Sequence, residues 1–562
     1  MSIVALLLSN AAALLGAHAL LRRVRTGEAS TDVVLFLLLR IGLISLAVLV
    51  MGAAKLLSPT AIAAAGALAT GALLALREHR HLPRPRLPEV GTGALLVAAV
   101  LILRSLLQVW FFAPFQRDAH TYHLPKIGEW ILHSGFTAEW GLDLRSTHPS
   151  GFELVETWWV APLRHDVLIE MAGLEFLLLG AAAVFDLARR LEIAPRFAFL
   201  AALLHTLTPG ICLQATSCLN DGAAAALWIA TAALTFRSVP ATLLLLPLGL
   251  GTGVKPTYVY ALPGLAIVGA IVARQRPLWT RSTLAVGVAA LAVGASWYVR
   301  NWIVYGNPLY PVGLSGLVVH DGHVAQRLGP SLSGLAENLY RAFDSRIYDH
   351  LGPHDPELTW ISGWGCGALA VGLVPLFLAL RNDRRMRWLA GAYAVSLVCV
   401  CSLIVPDPWN MRYVLFFPSL FALAAAKVAE SLRPVATLAW AAIGIQFLST
   451  MIPGKFPVCG VSDLASQSWR ERGFYKYPIL DGVEEIGFLE NQDDEVKCYS
   501  LYRPDFSRRV VLLRADSADG LMDALRREKL TRLYCPSAHR LTQQCMDEGR
   551  LKRIGAGLFQ VP

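Results

Sequence analysis

Long apolar runs, separated by short polar breaks, fill most of the chain. A bilayer's hydrocarbon core takes about 20 apolar residues per helical crossing. Fourteen runs approach that length, near 3–21, 32–53, 59–76, 93–113, 166–188, 196–214, 222–236, 239–253, 256–273, 282–302, 358–380, 388–405, 412–426 and 434–452. The pattern predicts a mainly α, polytopic α-helical membrane protein with about 14 transmembrane helices. Short neighbours such as 239–253 and 256–273 leave the count open. The first run lacks a basic segment before it and an obvious small-residue cleavage site, so it reads as a retained span. Beyond 452 the period changes. Short runs at 495–501, 508–514, 532–535 and 551–561 predict strands. Stretches 518–529, with Leu521, Met522 and Leu525 on one face, and 541–548 predict helices. The tail therefore reads as a small C-terminal α/β domain.

Charge orders the spans. Arg22, Arg23 and Arg25 follow the first run, and Arg77, Arg80, Arg84 and Arg86 the third. Arg189, Arg190 and Arg196 follow the fifth, Arg237 the seventh, and Arg274, Arg276 and Arg281 the ninth. Arg381, Arg384, Arg385 and Arg387 follow the eleventh, and Lys427 and Arg433 the thirteenth. Basic residues mark cytoplasmic loops, so both termini are expected outside. Three long segments, 114–165, 303–357 and 453–562, then share the outer face, and loops of that length usually carry function.

Composition supports this reading. Hydrophobic residues make up 55% of the 562-residue chain and charged ones 16%, against roughly 25% charged in soluble domains. The net charge of +9 is spent between spans rather than gathered in a nucleic-acid-binding patch. The absence of an Asn-x-Ser/Thr sequon and the preference for Arg over Lys fit a bacterial inner membrane. The nine cysteines show no zinc-ligand spacing. For Cys459, Cys498, Cys535 and Cys545 in the tail, a disulfide and buried free thiols are both open.

Candidate chemistry concentrates at the outer ends of the spans. The first outer loop holds Asp118, His120, Tyr122 and His123 within six residues. Stretch 124–133 follows, with Leu124, Ile127, Trp130 and Ile131 on one helical face. Such a helix suits the membrane interface, with Trp130 as anchor and Asp118 at the depth of a lipid phosphate; a solvated acid beside a structural helix is the alternative. His148 is an anion or metal ligand or a satisfied polar group. Asp221 opens a span, where it or Asn220 suits a helix cap as well as chemistry. Lys255, in Gly251-Thr252-Gly253-Val254-Lys255-Pro256, is a lone charge between apolar runs. It either snorkels or meets an anion. Arg300 and Arg412 fall at the same membrane face. Forked Arg donors and a Lys point charge beside two acids suit phosphate and sugar.

These segments resemble the GT-C superfamily of membrane glycosyltransferases. The likeness is to the bacterial branch with the aminoarabinose transferases and to the protein mannosyltransferases. Asp118 with Tyr122 four residues on resembles the first-loop acid motif, 214–222 the second-loop acid segment, 251–257 the Lys-containing turn and 300–311 the segment that ends the family module. Spans four to ten, 93–302, match the module's seven spans. The implied organisation is extra transmembrane helices over 1–92, a GT-C-like catalytic module over 93–311 with loop 114–165, an outer loop and later helices over 312–452, and a periplasmic α/β domain over 453–562. The sequence departs from relatives at Ala119, where many have a second acid, and at His148-Pro149, where the aminoarabinose branch has Lys-Pro.

The resemblance implies inverting transfer of a sugar from a polyprenyl-phosphate donor to a glycan, lipid or protein acceptor on the periplasmic side. Asp118 would act as general base and Asp221 as a second catalytic acid. His120, Tyr122, His123, His148, Lys255, Arg300 and Arg412 would bind substrate. Some relatives use a divalent metal, for which Asp118, His120, His123 and His148 are the candidate ligands; the cofactor stays undetermined. Membrane lipids, and no nucleic acid, are the other expected partners. Arg40, Arg104, Glu170 and Glu175 within apolar runs keep open a flippase for polyprenyl-linked glycans. An inactive scaffold of an envelope assembly complex is a third reading.

Overall fold

The computed structural model describes residues 2–81, 90–114, 116, 118–137, 144–237, 239–272, 278–310, 332–343, 364–404, 408–451, 478–489, 498–535 and 539–562. Each of the fourteen apolar runs is mostly helical over its described residues. Among the described residues, seven helical stretches are long and apolar enough to cross a membrane: Ser2–Val24, Ala29–Ala53, Thr92–Phe111, Asp166–Arg190, Arg281–Tyr305, Arg384–Leu403 and Met411–Ala429. The remaining runs are shorter or broken. The run at 196–214 splits into Pro195–Thr206 and Pro209–Gln214, because proline ends one helix and starts the next. The whole is a polytopic α-helical membrane architecture with a small C-terminal sheet.

The helices pack through small residues. A Cβ on Gly253 would lie 2.8 Å from Gly294 Cα, and one on Gly249 would lie 2.6 Å from the Ala290 carbonyl. Helix Leu245–Val254 thus meets helix Arg281–Tyr305 backbone to backbone, as membrane helices do where glycine lines the contact. A buried ion pair with its hydrogen bonds fastens the first helices to the rest. Arg40 Nη2 lies 2.9 Å from Glu175 Oε1 and donates to Asn10 Oδ1 at 2.8 Å, while Trp159 Nε1 reaches the same Glu175 oxygen at 3.1 Å.

Charged groups collect at one end of the bundle. Asp186 accepts from Ser30, Thr31 and Arg237 at 2.6, 2.9 and 2.9 Å. Lys427 pairs with Asp383 at 3.3 Å, and Arg385 with Glu192 at 2.7 Å. These are the basic clusters that follow odd-numbered runs.

The C-terminal sheet has the order β2-β1-β3-β5-β4, with strands Glu485–Leu489 (β1), Arg509–Leu513 (β2), Arg532–Tyr534 (β3), Lys552–Gly555 (β4) and Leu558–Gln560 (β5). β1 pairs in parallel with β2 and β3, and β5 runs antiparallel to β3 and β4. Helices Ala518–Arg527 and Arg540–Asp547 close its core through Leu521, Leu525, Leu541 and Cys545.

Two expectations change. The strand expected at 495–501 gives way to a 3₁₀ turn, Cys498–Tyr502, and the strand that stands in the middle of the parallel part is Glu485–Leu489. Helix Leu124–Leu132 forms, but Trp130 and Ile131 are fully buried, so its apolar face packs on protein and Trp130 is not a lipid anchor. Trp130 packs on Phe136 and Trp297, with ring centroids 4.8 and 5.8 Å away. The C-terminal domain also covers this helix: Gly128 faces the ring of Tyr502. Within the expected outer loop 303–357, helix Leu332–Phe343 packs on the end of helix Arg384–Leu403, where Asn338 Nδ2 donates to the Cys401 and Ile404 carbonyls at 2.8 and 3.1 Å. The rest of that loop beyond residue 310, like Arg117, Asp407 and Cys459, lies outside the described residues. Cys545 is a buried thiol.

Candidate functional site

Four segments far apart in sequence deliver charged side chains to one place. Asp118 stands at the head of a π-helical turn, Ala119–His123. Asp221 opens helix Asp221–Thr235. Lys255 ends helix Leu245–Val254 in extended conformation, before Pro256. Arg412 lies on the 3₁₀ turn Pro408–Val414.

Arg412 joins the two acids. Its Nη2 donates to Asp118 Oδ2 at 2.8 Å, and its Nε lies 3.4 Å from Asp221 Oδ2. Lys255 Nζ donates to Asp221 Oδ1 and, at 3.2 Å, to Asn220 Oδ1. The same ammonium sits 4.2 Å from the ring centroid of Tyr413, a distance at which the ring's negative face attracts a cation. Asp221 is buried, whereas Asp118, Lys255 and Arg412 keep partial exposure. The group is therefore accessible from the Asp118 side.

The backbone around it is built for close approach. Asn220 makes no cap bond at its helix; its Nδ2 donates instead to the Val254 carbonyl at 3.0 Å, locking the two segments together. The capping role expected for this position is thus replaced by a tie to Lys255. A Cβ on Gly151 would fall 2.7 Å from the Gly253 carbonyl group, so only glycine lets helix Gly151–Val160 start against the lysine-bearing turn. Cys218 adopts φ 56° just before the Asn220-Asp221 pair. A left-handed, buried, non-glycine residue costs of order 1–3 kcal/mol, and such residues cluster at functional sites.

The other predicted site residues have partners of their own. Tyr122 and His123 are buried, their rings 4.4 Å apart. His123 Nδ1 bonds Glu153 Oε1 at 2.8 Å, and Lys126 Nζ approaches the same oxygen at 2.7 Å while donating to Ser150 Oγ at 2.8 Å. His120 is buried, with Nε2 on the Pro114 carbonyl at 2.6 Å and Nδ1 3.1 Å from Ser500 Oγ. His148 is half-buried, and its carbonyl accepts from Ser150 Oγ at 3.2 Å. Arg300 bonds Asn301 Oδ1 at 2.9 Å and lies 5.2 Å over Tyr305. Asn301 in turn donates to the carbonyls of Thr147 and Tyr310 at 3.0 and 3.2 Å, which ties this arginine's segment to that of His148.

The buried Lys126–Glu153 pair is what sequence reading missed. Burial works against the Glu153 carboxylate, but Lys126 and His123 outweigh it and hold it at about 2. One turn along, burial and the Glu153 charge push Glu156 well above the ordinary carboxylic range, and burial and Glu156 push the Cys218 thiol up. The signal in sequence was charge on short, largely apolar stretches, Lys126 with Glu129 and Glu153 with Glu156.

Among the described residues, no group of three or more His, Cys, Asp and Glu side chains is gathered to hold a metal ion. The candidate ligands point elsewhere: His123 to Glu153, and His120 to Pro114 and Ser500. The described side chains are therefore not arranged around a divalent ion.

No family model matches the sequence, and no curated protein matches it. Among solved structures, the fold is similar to arabinofuranosyltransferase AftD from mycobacteria, determined by single-particle cryo-EM, at 12% identity, with a TM-score of 0.37. The match covers 84% of this chain but only 38% of that one. The likeness is loose, so the functional reading stands on the site's own residues.

Proposed function

We propose that the protein is a membrane glycosyltransferase that moves a sugar from a polyprenyl-phosphate donor to a hydroxyl acceptor on the outer face of a bacterial inner membrane. The observation that carries the reading is the Asp118–Arg412–Asp221–Lys255 chain of ion pairs. A donor phosphate offers Arg412 and Lys255 the anion they now find in carboxylates. When phosphate takes those cations, Asp118 is released to face the acceptor.

In the step proposed, Asp118 takes the proton of the acceptor hydroxyl, whose oxygen attacks the anomeric carbon. The bond from that carbon to the phosphate oxygen breaks, and polyprenyl phosphate leaves with the electron pair. Configuration inverts. Lys255 and Arg412 stabilise the charge that grows on the leaving oxygen, an interaction worth most where water is excluded. Asp221 keeps both cations in place between turnovers.

The Arg40–Glu175 pair supports a second reading, a flippase, in which a buried charge pair breaks and re-forms during transport. One experiment separates the two. Purified protein in liposomes receives radiolabelled polyprenyl-phosphate sugars, and release of polyprenyl phosphate is measured beside movement of the lipid across the bilayer. Release is expected. Movement without release sinks the transferase reading.

A further inference from the structure

The C-terminal domain touches the turn that carries Asp118, and it does so with side chains that have specific partners. Ser500 Oγ lies 3.1 Å from His120 Nδ1. The other ring nitrogen, Nε2, meets the Pro114 carbonyl at 2.6 Å and must carry the proton there; in the neutral ring Nδ1 then accepts from the Ser500 hydroxyl. Cys498 Sγ donates weakly to the main-chain carbonyls of His120 and Thr121 at 3.9 and 3.8 Å. Tyr502 donates to Glu129 Oε1 at 2.6 Å. Tyr499 donates to Asp166 Oδ2 at 3.3 Å, and the Asp166 amide returns to the Pro504 carbonyl at 2.9 Å.

Behind these contacts the segment is anchored to its own sheet. Arg508 is buried and donates to the carbonyls of Leu480, Val483 and Leu501 at 2.8, 2.9 and 2.9 Å. Arg503 and Phe506 turn the chain at φ 64° and 52°, a conformation that costs non-glycine residues energy and persists where surrounding contacts impose it. The path runs from the sheet through Arg508 to Ser500 and Tyr502, then to His120 and Glu129. Asp118 lies two residues before His120.

We propose that segment 498–504 of the C-terminal domain is a positioning part of the active site, holding the Ala119–His123 turn so that Asp118 faces the reacting centre. The proposal rests on the transferase reading for its kinetic consequence but not for its structural one. Ser500 and Tyr502 are positioning residues; they act through His120 and Glu129. Lys255 and Arg412, which hold the phosphate, stand on other elements. Loosening the clamp therefore lowers kcat and leaves donor KM in place.

The test uses the full-length protein in lipid nanodiscs. Amide hydrogen exchange and transfer kinetics are measured for wild type, Ser500→Ala, Ser500→Thr, Tyr502→Phe and a remote control on the exposed face of β4, Lys552→Ala. Losing one such hydrogen bond corresponds to about a tenfold change in a local opening equilibrium. Exchange over 119–124 is expected to rise about tenfold in Ser500→Ala and over 124–132 in Tyr502→Phe. Exchange in the sheet should be unchanged, kcat should fall several-fold and donor KM should hold. Ser500→Thr, which keeps the hydroxyl, should restore both readouts. Unchanged exchange at 119–132 overturns the proposal. So does faster exchange across the whole domain with kcat and KM moving together, since that reports a fold defect. If wild type transfers nothing, the function proposed above fails while the exchange data still decide the clamp.

Discussion

Arg412 binds Asp118 and Asp221 at once, and this sharing makes single substitutions informative. Asp118→Asn keeps the volume and one acceptor but cannot take a full proton. Transfer should drop by about 10²–10⁴-fold, the usual contribution of a general base, with donor binding retained. Lys255→Ala removes a cation that meets the donor phosphate before and during departure. Donor affinity and turnover should therefore fall together. Both are measured with one radiolabelled lipid donor at matched protein amounts. Near-normal transfer by Asp118→Asn would move the base role to Asp221. The buried pair gives a second prediction. Glu153 is held at about 2 against an ordinary 4.5, so its contribution to stability is complete above pH 4.5 and fades as pH falls toward 2. In Lys126→Met the carboxylate is left buried without its cation, a loss of about 3–5 kcal/mol at neutral pH. Acidification then neutralises Glu153 and relieves the variant, so the Tm gap between variant and wild type should narrow as pH falls. A gap that is constant with pH rules out an ionised Glu153 as the cause. Asp118, Asp221, Lys255 and Arg412 were legible because each is a charge at the end of an apolar run. Lys126 and Glu153 were not, because their pairing across 27 residues depends on two helices meeting, which no local pattern records.

At the scale of elements, hydrophobic period located every apolar run as helix, since burial in lipid or protein rewards the same unbroken pattern. It failed where segments are short. β1, Glu485–Leu489, carries Gly487 in its middle and only three large apolar side chains, too few to register as a strand. At 498–502 Tyr499 and Leu501 alternate like a strand, yet the segment turns as 3₁₀, because Tyr499, Ser500 and Tyr502 find their partners in Asp166, His120 and Glu129 rather than in a neighbouring strand. Lys255 depends in turn on how two helices touch. With Gly253 and Gly294 in contact, Gly253→Val must push helix Leu245–Val254 off helix Arg281–Tyr305 and displace the lysine two residues on. Donor binding should weaken about tenfold or more. Gly71→Val is the matched control, because a side chain there meets nothing within 4 Å. Equal donor affinity in both variants would detach Lys255 placement from this helix contact.

At the scale of the molecule, two polar poles stand at opposite ends of the same helices. Helix Asp221–Thr235 begins in the site and is followed by Arg237, paired with Asp186; its 15 residues span about 22 Å at 1.5 Å per residue. Met411–Ala429 likewise runs from beside Arg412 to Lys427, paired with Asp383. The parity of basic clusters implied such an arrangement from sequence. What it could not supply was the C-terminal domain's place, since the contacts of Ser500 and Tyr502 with 120–129 join segments more than 370 residues apart. Those contacts put the domain and the Asp118 site on one side of the membrane whichever side that is. Orientation therefore reduces to one measurement with an internal check. A reporter fused at the C-terminus should read the outer side, and reporters placed after Arg25 or in the turn at 382–383 should read cytoplasm, as positive charge predicts. A cytoplasmic C-terminus would carry the whole site inward with it and would remove the outer-leaflet donor from the proposed reaction. Opposite readings for the C-terminus and for an accessible label at Asp118→Cys would contradict the domain contact itself.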